Sequence, residues 1–326
     1  MPRTETAADV AAAITDADSV FIATHEYPDG DAVGSLLALR SLLLSLGKSV
    51  HAATPTPPPD RFAYMAGFDA ISTAPPPEPA DVGIALDCDG ADRLGELEDA
   101  LLASGTVVDI DHHGGPDAFG DIRLVDPSAA ATAVLVMDVA RELGQTPPTA
   151  DQAGALYSAL IADTGCFRFT NTSPGALRLG ADLIAAGADP AELARRVFTI
   201  RPMEAVRLEA RALLSLELAE PGVAIAALSR EDFTQTGASS DLTEGIIDTF
   251  RDAIGVRAAA LIKETEPHVW QVSLRGNAVD VASVARRFDG GGHMFAAGCT
   301  IEGDRDEVAG RLVRALRTAV EEAPDA

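Results

Sequence analysis

The chain contains very little lysine. Of its 326 residues only Lys48 and Lys263 are lysines, against 50 aspartates and glutamates, and the formal net charge is −25. One interpretation is an acidic protein that avoids polyanions. The other is a surface adapted to very high salt, where carboxylates stay hydrated and their repulsion is screened within a few Å. The scarcity of lysine favours the second interpretation, so the charge does not exclude an anionic substrate.

Cysteine is also scarce. Cys88, Cys166 and Cys299 have no framework spacing, and none forms a C-x-x-C pair. This excludes a disulfide scaffold, and we expect small buried thiols in a reducing compartment. No apolar run reaches the length that spans a membrane, and the N-terminus has no charged start followed by an apolar core. We therefore expect a cytoplasmic protein without membrane contact.

The length of the chain suggests two domains, and 47% hydrophobic residues indicate a globular protein. Strand-like apolar segments alternate with helical ones in the first part, which predicts a doubly wound, mainly parallel α/β sheet. A second series of strand-like and helical segments begins after Pro221-Gly222. We predict a first domain at residues 1–200, a helical linker at 201–218 and a smaller α/β domain at 219–326. Within the last we predict a helix at residues 241–254.

One stretch carries unusual chemistry. Residues 107–110, Val-Val-Asp-Ile, begin as a short apolar β-branched run typical of a buried strand, and Asp111-His112-His113 follow directly. Ligands of open α/β sheets bind at the carboxyl ends of the strands. The alternative is a solvated loop with incidental histidines, and the stretch alone leaves both open.

A second polar group follows the first predicted strand, residues 19–24. His25, Asp29 and Asp31 lie in the turn before a predicted helix at residues 31–46. Carboxylates with one imidazole are typical ligands of Mn²⁺ or Mg²⁺, whereas a structural zinc site is usually built on thiolates. The alternative is a polar turn with Asp31 as the helix N-cap, which leaves His25 and Asp29 unexplained.

Two more aspartates follow regular elements. Asp87 comes directly after a predicted strand, and Asp163 lies at the end of a predicted helix, where the helix dipole disfavours a carboxylate. The candidate metal ligands are thus His25, Asp29, Asp31, Asp87, His112 and Asp163. Such a set is about what two divalent ions sharing one carboxylate require. Without a cation, the four carboxylates would repel each other and their pKa values would rise.

These motifs resemble the DHH phosphoesterase superfamily, named for the triplet Asp111-His112-His113. The first part matches at His25-x-x-x-Asp29-x-Asp31, at Asp87, at the triplet and at Asp163-Thr-Gly165. The C-terminal part resembles the DHH-associated domain of nanoRNases and RecJ-type exonucleases, at Ser273-Leu-Arg275 and Gly290-Gly-Gly-His293. The motifs are jointly very specific, whereas the glycine-rich one alone would be weak.

The resemblance implies a role for each residue. His25 and Asp29 would hold one metal, and Asp31, His112 and Asp163 the other, with Asp87 bridging. The implied catalytic residues are Asp87, His112 and His113, of which His113 would support the site or touch the scissile phosphate. Two Mn²⁺ ions are implied, with Mg²⁺ as the alternative.

The same resemblance implies that Arg275 and His293 grip a substrate phosphate or terminal nucleotide. The implied substrate-binding set is Ser273, Arg275, Gly290, Gly291, Gly292 and His293. Glycines allow the backbone to approach phosphate oxygens closely, and arginine offers a bidentate fork. The alternative for the glycines is a flexible loop. Asp289 is a departure, because it puts a negative charge beside them.

The implied activity is metal-dependent hydrolysis of short oligonucleotides or nucleotides, of the nanoRNase or 3′-phosphoadenosine 5′-phosphate phosphatase type. One alternative is a RecJ-like single-strand exonuclease, which usually carries an added OB fold for which no room remains. Family II pyrophosphatases lack the Gly-Gly-Gly-His motif. An alternative of another class is a non-catalytic nucleotide-binding or replication-scaffold protein. The oligomeric state stays open, a homodimer included.

Overall fold

The computed structural model describes residues 6–114, 119–243 and 245–324. The chain forms two compact units, Met1–Ile200 and Arg201–Ala326. The predicted linker, residues 201–218, falls within the second unit. In the part of the chain that the structure describes, no helix is long and apolar enough to cross a membrane.

The first unit is built on a five-stranded parallel sheet, which confirms the predicted doubly wound architecture. Its strands are β1 (Ser19–Thr24), β2 (Ser49–Ala53), β3 (Val82–Leu86), β4 (Thr106–Asp111) and β5 (Ile122–Val125). They lie in the order β2-β1-β3-β4-β5. The chain thus moves outward from β1 to β2 and then crosses back to β3. The loops that follow β1 and β3 therefore diverge and leave a crevice, the usual ligand site of such sheets.

Helices cover this sheet. They are α1 (Ala7–Asp16), α2 (Gly30–Ser45), α3 (Glu98–Leu102), α4 (Thr132–Glu142), α5 (Ala150–Asp163), α6 (Pro174–Ala185) and α7 (Pro190–Phe198). Twelve of the sixteen residues of α2 are buried, because it packs against the sheet, α4 and α5.

The contact between α2 and α5 is very close. A Cβ atom at Gly30 would lie 2.6 Å from the Ala162 Cβ, and one at Gly34 would lie 2.5 Å from the Ala155 carbonyl oxygen. Only glycine permits this approach. It brings the start of α2, which carries Asp31, beside the end of α5, which carries Asp163.

The second unit contains a six-stranded mixed sheet in the order β10-β11-β9-β8-β7-β6. Its strands are β6 (Glu217–Ala219), β7 (Val223–Leu228), β8 (Ala258–Glu266), β9 (Val269–Gly276), β10 (Gly291–His293) and β11 (Ala296–Glu302). Its helices are α8 (Met203–Leu214), α9 (Arg230–Thr236), α10 (Asp248–Arg251), α11 (Val281–Arg286) and α12 (Arg305–Glu322). An apolar core that includes residues of α11 and α12 fills one face of the sheet. On the other face the apolar cluster includes only β7 and β8 among the strands.

The predicted helix at residues 241–254 is wrong. A short 3₁₀ turn, Ser240–Thr243, and the four-residue α10 stand in its place, and residue 244 lies outside the described part. Gly245 has a left-handed backbone, with φ of +78°, which ends any helix that approaches it.

Candidate metal centre

The predicted metal ligands converge at the carboxyl edge of the first sheet. His25 follows β1, Asp87 follows β3, His112 follows β4, and Asp163 ends α5. Three groups of side chains each offer one ligand atom within 4.8 Å of the others: His25 with Asp29 and Asp87, Asp31 with His112 and Asp163, and Asp87 with His112 and His113. The first two groups together contain all six predicted ligands. Their assignment as ligands stays a prediction.

Asp87 lies between the two groups. Its Oδ2 is 3.8 Å from His25 Nε2, and its Oδ1 is 3.6 Å from His112 Nε2. His112 Nε2 also lies 2.9 Å from Asp163 Oδ2 and 3.9 Å from Asp31 Oδ2. One carboxylate therefore presents a different oxygen to each group, as its predicted bridging role requires.

A positive charge would stabilise the ionised carboxylates of this cluster. Burial, together with the charges of Asp87 and Asp163, raises the pKa of Asp31 well above its ordinary value and that of Asp29 to about 6. Burial works against ionisation of Asp87 as well, but the neighbouring histidines hold its pKa below the ordinary value. Four carboxylates at one sheet edge repel each other, and a cation relieves that repulsion.

His112 shows how well a cation fits. Burial lowers the pKa of its imidazole, but Asp163 beside it and the charges of Asp31 and Asp87 outweigh burial and raise the pKa to about 10. Its Nε2 atom is buried and has no partner with hydrogen-bond geometry among the described residues. A buried nitrogen that faces three carboxylates without a proper hydrogen bond fits a metal ligand. The residues present therefore suit a pair of divalent ions.

Thr132 belongs to the site although the sequence analysis missed it. It is fully buried at the first position of α4, and its hydroxyl donates a 2.9 Å hydrogen bond to Asp87 Oδ1. Its backbone N–H donates to Asp31 Oδ2 at 2.6 Å, while the N–H of Ala133 and the Ser35 hydroxyl donate to Asp31 Oδ1. Asp31 thus caps α4, and Thr132 holds two predicted ligands at once.

The backbone is strained around the cluster. Four non-glycine residues near it have left-handed backbones, with φ between +56° and +63°: Tyr27, Asp87, Cys166 and Phe167. Each such non-glycine residue costs on the order of 1–3 kcal/mol. They lie in the three segments that follow β1, β3 and α5, and such strain clusters at functional sites.

His113 lies at the exposed side of the cluster. Its Nδ1 is 2.8 Å from Asp111 Oδ1 and 3.6 Å from Asp87 Oδ1. The hydrogen bond with Asp111 raises the pKa of the His113 imidazole and fixes its ring. The opposite side of the ring can therefore offer a proton donor to an anion.

Four of the six predicted substrate-binding residues share one face of the second unit's sheet: Ser273, Arg275, Gly291 and His293. Ser273 and Arg275 pair across β11 with Gly298 and Ala296, which pair in turn with Gly291 and His293. The alternating residues Val272 and Leu274 point into the core. These four residues thus lie in two adjacent rows, whereas Gly292 pairs with Ala297 at the alternating position. Arg275 Nε is 3.9 Å from Asp248 Oδ1.

The three predicted glycines are not equivalent. A Cβ at Gly290 would lie 2.2 Å from the Gly298 carbonyl oxygen, and Gly292 has φ of +130°. Glycine is therefore required at both positions by the close packing of this segment against β11. Gly291 has nothing within 4 Å of a Cβ position and is exposed, so its side of the backbone is open to a ligand. The flexible-loop alternative is wrong for Gly291 and Gly292, because both belong to β10.

Family models match both units. Residues 19–160 match the DHH family N-terminal domain, and residues 220–322 match the DHHA1 domain. A bifunctional oligoribonuclease and PAP phosphatase NrnA from Thermus thermophilus is 34% identical over 302 residues, which cover 91% of this chain and 89% of that protein. Its Bacillus subtilis namesake is 25% identical over 94% of this chain and 96% of its own length.

Solved structures share the fold. An exopolyphosphatase-related protein from Bacteroides fragilis superposes with a TM-score of 0.89 at 25% identity and covers 96% of both chains. RecJ from Thermus thermophilus in complex with Mn²⁺ has a TM-score of 0.58 at 17% identity; the match covers 100% of this chain and 56% of RecJ. The family motifs, the two matched domains and the ligand geometry agree, and the chain is a member of the DHH family of metal-dependent phosphoesterases.

Proposed function

We propose that this chain hydrolyses short oligoribonucleotides and also removes a phosphate from 3′-phosphoadenosine 5′-phosphate, with two Mn²⁺ ions as preferred cofactors. The observation that carries the proposal is the position of Asp87, whose two oxygens face His25 and His112. A carboxylate shared by two cation sites is an arrangement typical of two-metal centres, which stabilise the attacking and leaving oxygens of an in-line displacement at phosphorus.

Each group of side chains has its own task. His25 and Asp29 would hold one ion, and Asp31, His112 and Asp163 the second, with Asp87 shared. When bound, the ions would lower the pKa of a water molecule and offset charge on the phosphate. His113, ordered by Asp111, would donate a hydrogen bond from its other ring nitrogen to a phosphate oxygen.

The second unit would bind the rest of the substrate. Arg275 offers a guanidinium fork, Gly291 an open backbone and His293 an exposed imidazole on the same sheet face. These groups occupy only two rows of the sheet, which suits a terminal phosphate or nucleotide. A net charge of −25 gives a long polyanionic strand no general electrostatic attraction to the chain.

The relatives support this choice, since two of them are named as oligoribonucleases and PAP phosphatases. A RecJ-like exonuclease is the second candidate. The likeness of this chain to RecJ supports a shared fold and not a shared activity. A non-catalytic scaffold is the third. The buried carboxylates argue against it, because a protein that binds no cation gains nothing from their repulsion.

A panel of substrates separates the candidates. We would follow product release with Mn²⁺ at high KCl from a dinucleotide, a long single strand, 3′-phosphoadenosine 5′-phosphate and pyrophosphate. We expect the dinucleotide and 3′-phosphoadenosine 5′-phosphate to be hydrolysed fastest. Faster, processive degradation of the long strand would favour the RecJ-like enzyme, and no metal-dependent release would favour the scaffold.

Arg275 provides a test of the substrate-binding face. Arg275→Ala should raise KM for the dinucleotide, because a charge-assisted hydrogen bond contributes about 1.5–3 kcal/mol. It should leave metal affinity unchanged. Arg305→Ala is the matched control, since Arg305 belongs to the same unit but lies 3.7 Å from Glu217 outside those rows. Equal effects of the two substitutions would contradict the assignment of Arg275.

A further inference from the structure

Tyr27 is the most exposed aromatic residue in the described part of the chain. Its side chain is 79% exposed, and it lies between His25 and Asp29 in the loop after β1. Most aromatic side chains of a folded protein bury a large part of their surface. An exposed ring two residues from two predicted metal ligands calls for an explanation.

The loop that carries this ring is held firmly. The Glu26 N–H donates to the Arg93 carbonyl oxygen at 2.9 Å, and the Tyr27 N–H donates to the Thr56 hydroxyl at 2.8 Å. Beyond it, Asp29 Oδ1 accepts from the N–H groups at the start of α2. The backbone of Tyr27 is therefore fixed on both sides, and the ring projects from a rigid support.

The fold does not benefit from a tyrosine at this position. Its φ of +56° lies in the left-handed region, which glycine adopts without strain. Among the described residues, no ring or cation–π contact and no hydrogen bond of the phenol involve Tyr27. The backbone strain is thus tolerated without a stabilising contact in return.

We propose that the Tyr27 ring is a stacking platform for a nucleobase of the bound substrate. The inference rests on the proposed function and extends it to the base next to the reacting phosphate. A phosphate at the metal centre places its attached nucleoside within a few Å, and a nucleobase offers the flat face that an aromatic ring binds. Stacking of this kind accepts any base, so it favours nucleotides over other phosphoesters without selecting a sequence.

The test measures binding of a dinucleotide analogue whose bridging ester oxygen is replaced by a methylene group, so that hydrolysis does not interfere. Calorimetry with Mn²⁺ should show about 5- to 150-fold weaker binding for Tyr27→Ala, the range for one lost stacked base. Tyr27→Phe should bind within about twofold of the wild type, because it keeps the ring. Phe198→Ala is the matched control: Phe198 is 40% exposed at the end of α7 and should leave binding unchanged.

Ligands that lack one base identify the partner of the ring. Two further analogues each lack one of the two bases. Tyr27→Ala should not weaken binding of the analogue that lacks the stacked base. It should weaken binding of the analogue that lacks the other base by the same factor as for the intact ligand. Equal losses for intact and base-deleted ligands would overturn the proposal, as would an affinity of Tyr27→Ala equal to that of the wild type. Because binding is measured without turnover, a wild type that binds in this pattern but hydrolyses nothing would refute the proposed function alone.

Stability provides a separate readout. Tyr27→Gly and Tyr27→Ala both remove the ring, but only glycine relieves the left-handed strain. We therefore expect equal losses of binding and a higher melting temperature for the glycine variant. If affinity instead follows melting temperature across the variants, Tyr27 acts through loop structure and the platform is refuted.

Discussion

Replacing Thr132 by valine should weaken metal binding and hydrolysis while keeping the shape of the core. Valine has the same branched outline as threonine but lacks the hydroxyl that bonds Asp87 Oδ1 at 2.9 Å. The backbone N–H of residue 132, which bonds Asp31, is untouched by the substitution. The variant therefore isolates one hydrogen bond to the predicted bridging carboxylate.

The size of the effect follows from burial. Thr132 is fully buried and Asp87 is 4% exposed, so water cannot replace the lost donor. A hydrogen bond to a charged group contributes about 1.5–3 kcal/mol. Loss of a group that orients a metal ligand typically costs about 10- to 100-fold in metal affinity or activity. We expect a loss of that order in Mn²⁺ affinity, and a comparable fall in kcat.

The assay is a Mn²⁺ titration of metal-free protein, followed by kinetics on a dinucleotide. Thr132→Ser is the matched control, because serine keeps the hydroxyl and loses only a methyl group. Its metal affinity should stay within a few-fold of the wild type. If Thr132→Val binds Mn²⁺ as tightly as Thr132→Ser does, the hydroxyl does not position Asp87 and the reasoning is refuted.

Three other perturbations test the remaining parts of the structure. Asp87→Ala should abolish hydrolysis and leave the circular dichroism of the protein unchanged; near-normal turnover with Mn²⁺ would contradict a shared carboxylate. Folding and activity should require salt on the order of 1 M, where the Debye length falls to about 3 Å, because the net charge is −25. An unchanged melting temperature and full activity at low salt would refute this. Asp109 is buried beside Asp111, and burial followed by that charge raises its pKa to about 8. The folded state thus keeps a proton that the unfolded chain loses near pH 4, so stability falls as pH rises between about 4 and 8. Asp109→Asn should remove this loss, with a gain in the free energy of unfolding of up to about 5 kcal/mol at pH 9 and none at pH 4. Parallel curves of stability against pH for variant and wild type would show that Asp109 does not titrate in this way.

The sequence predicted the parts of the site that depend on local order. His25, Asp87 and His112 each come directly after an apolar strand, and parallel strands bring their carboxyl ends to one edge. Asp163 was predicted because a carboxylate at a helix C-terminus is unfavourable without a partner. Such signals need only a few neighbouring residues.

Contacts between distant segments could not be predicted in this way. Thr132 meets Asp31 across 101 positions and Asp87 across 45 positions, so nothing near Thr132 in the sequence indicates its role. For the glycines around β10 the sequence leaves open a phosphate-binding segment or a flexible loop, and it does not indicate a strand. Strand β10 forms because β11 supplies its hydrogen bonds, and glycine-rich segments carry no strand signal of their own.

The spacing of the ligands along the chain has a consequence for synthesis. His25, Asp29 and Asp87 leave the ribosome well before Asp163 at the end of α5 does. Because domains fold as units during synthesis, and α2 packs against α5, we expect both predicted ligand groups to form together only after α5 has emerged. Catalytic competence would then arrive as a late, discrete step, when the last turn of α5 docks beside the start of α2.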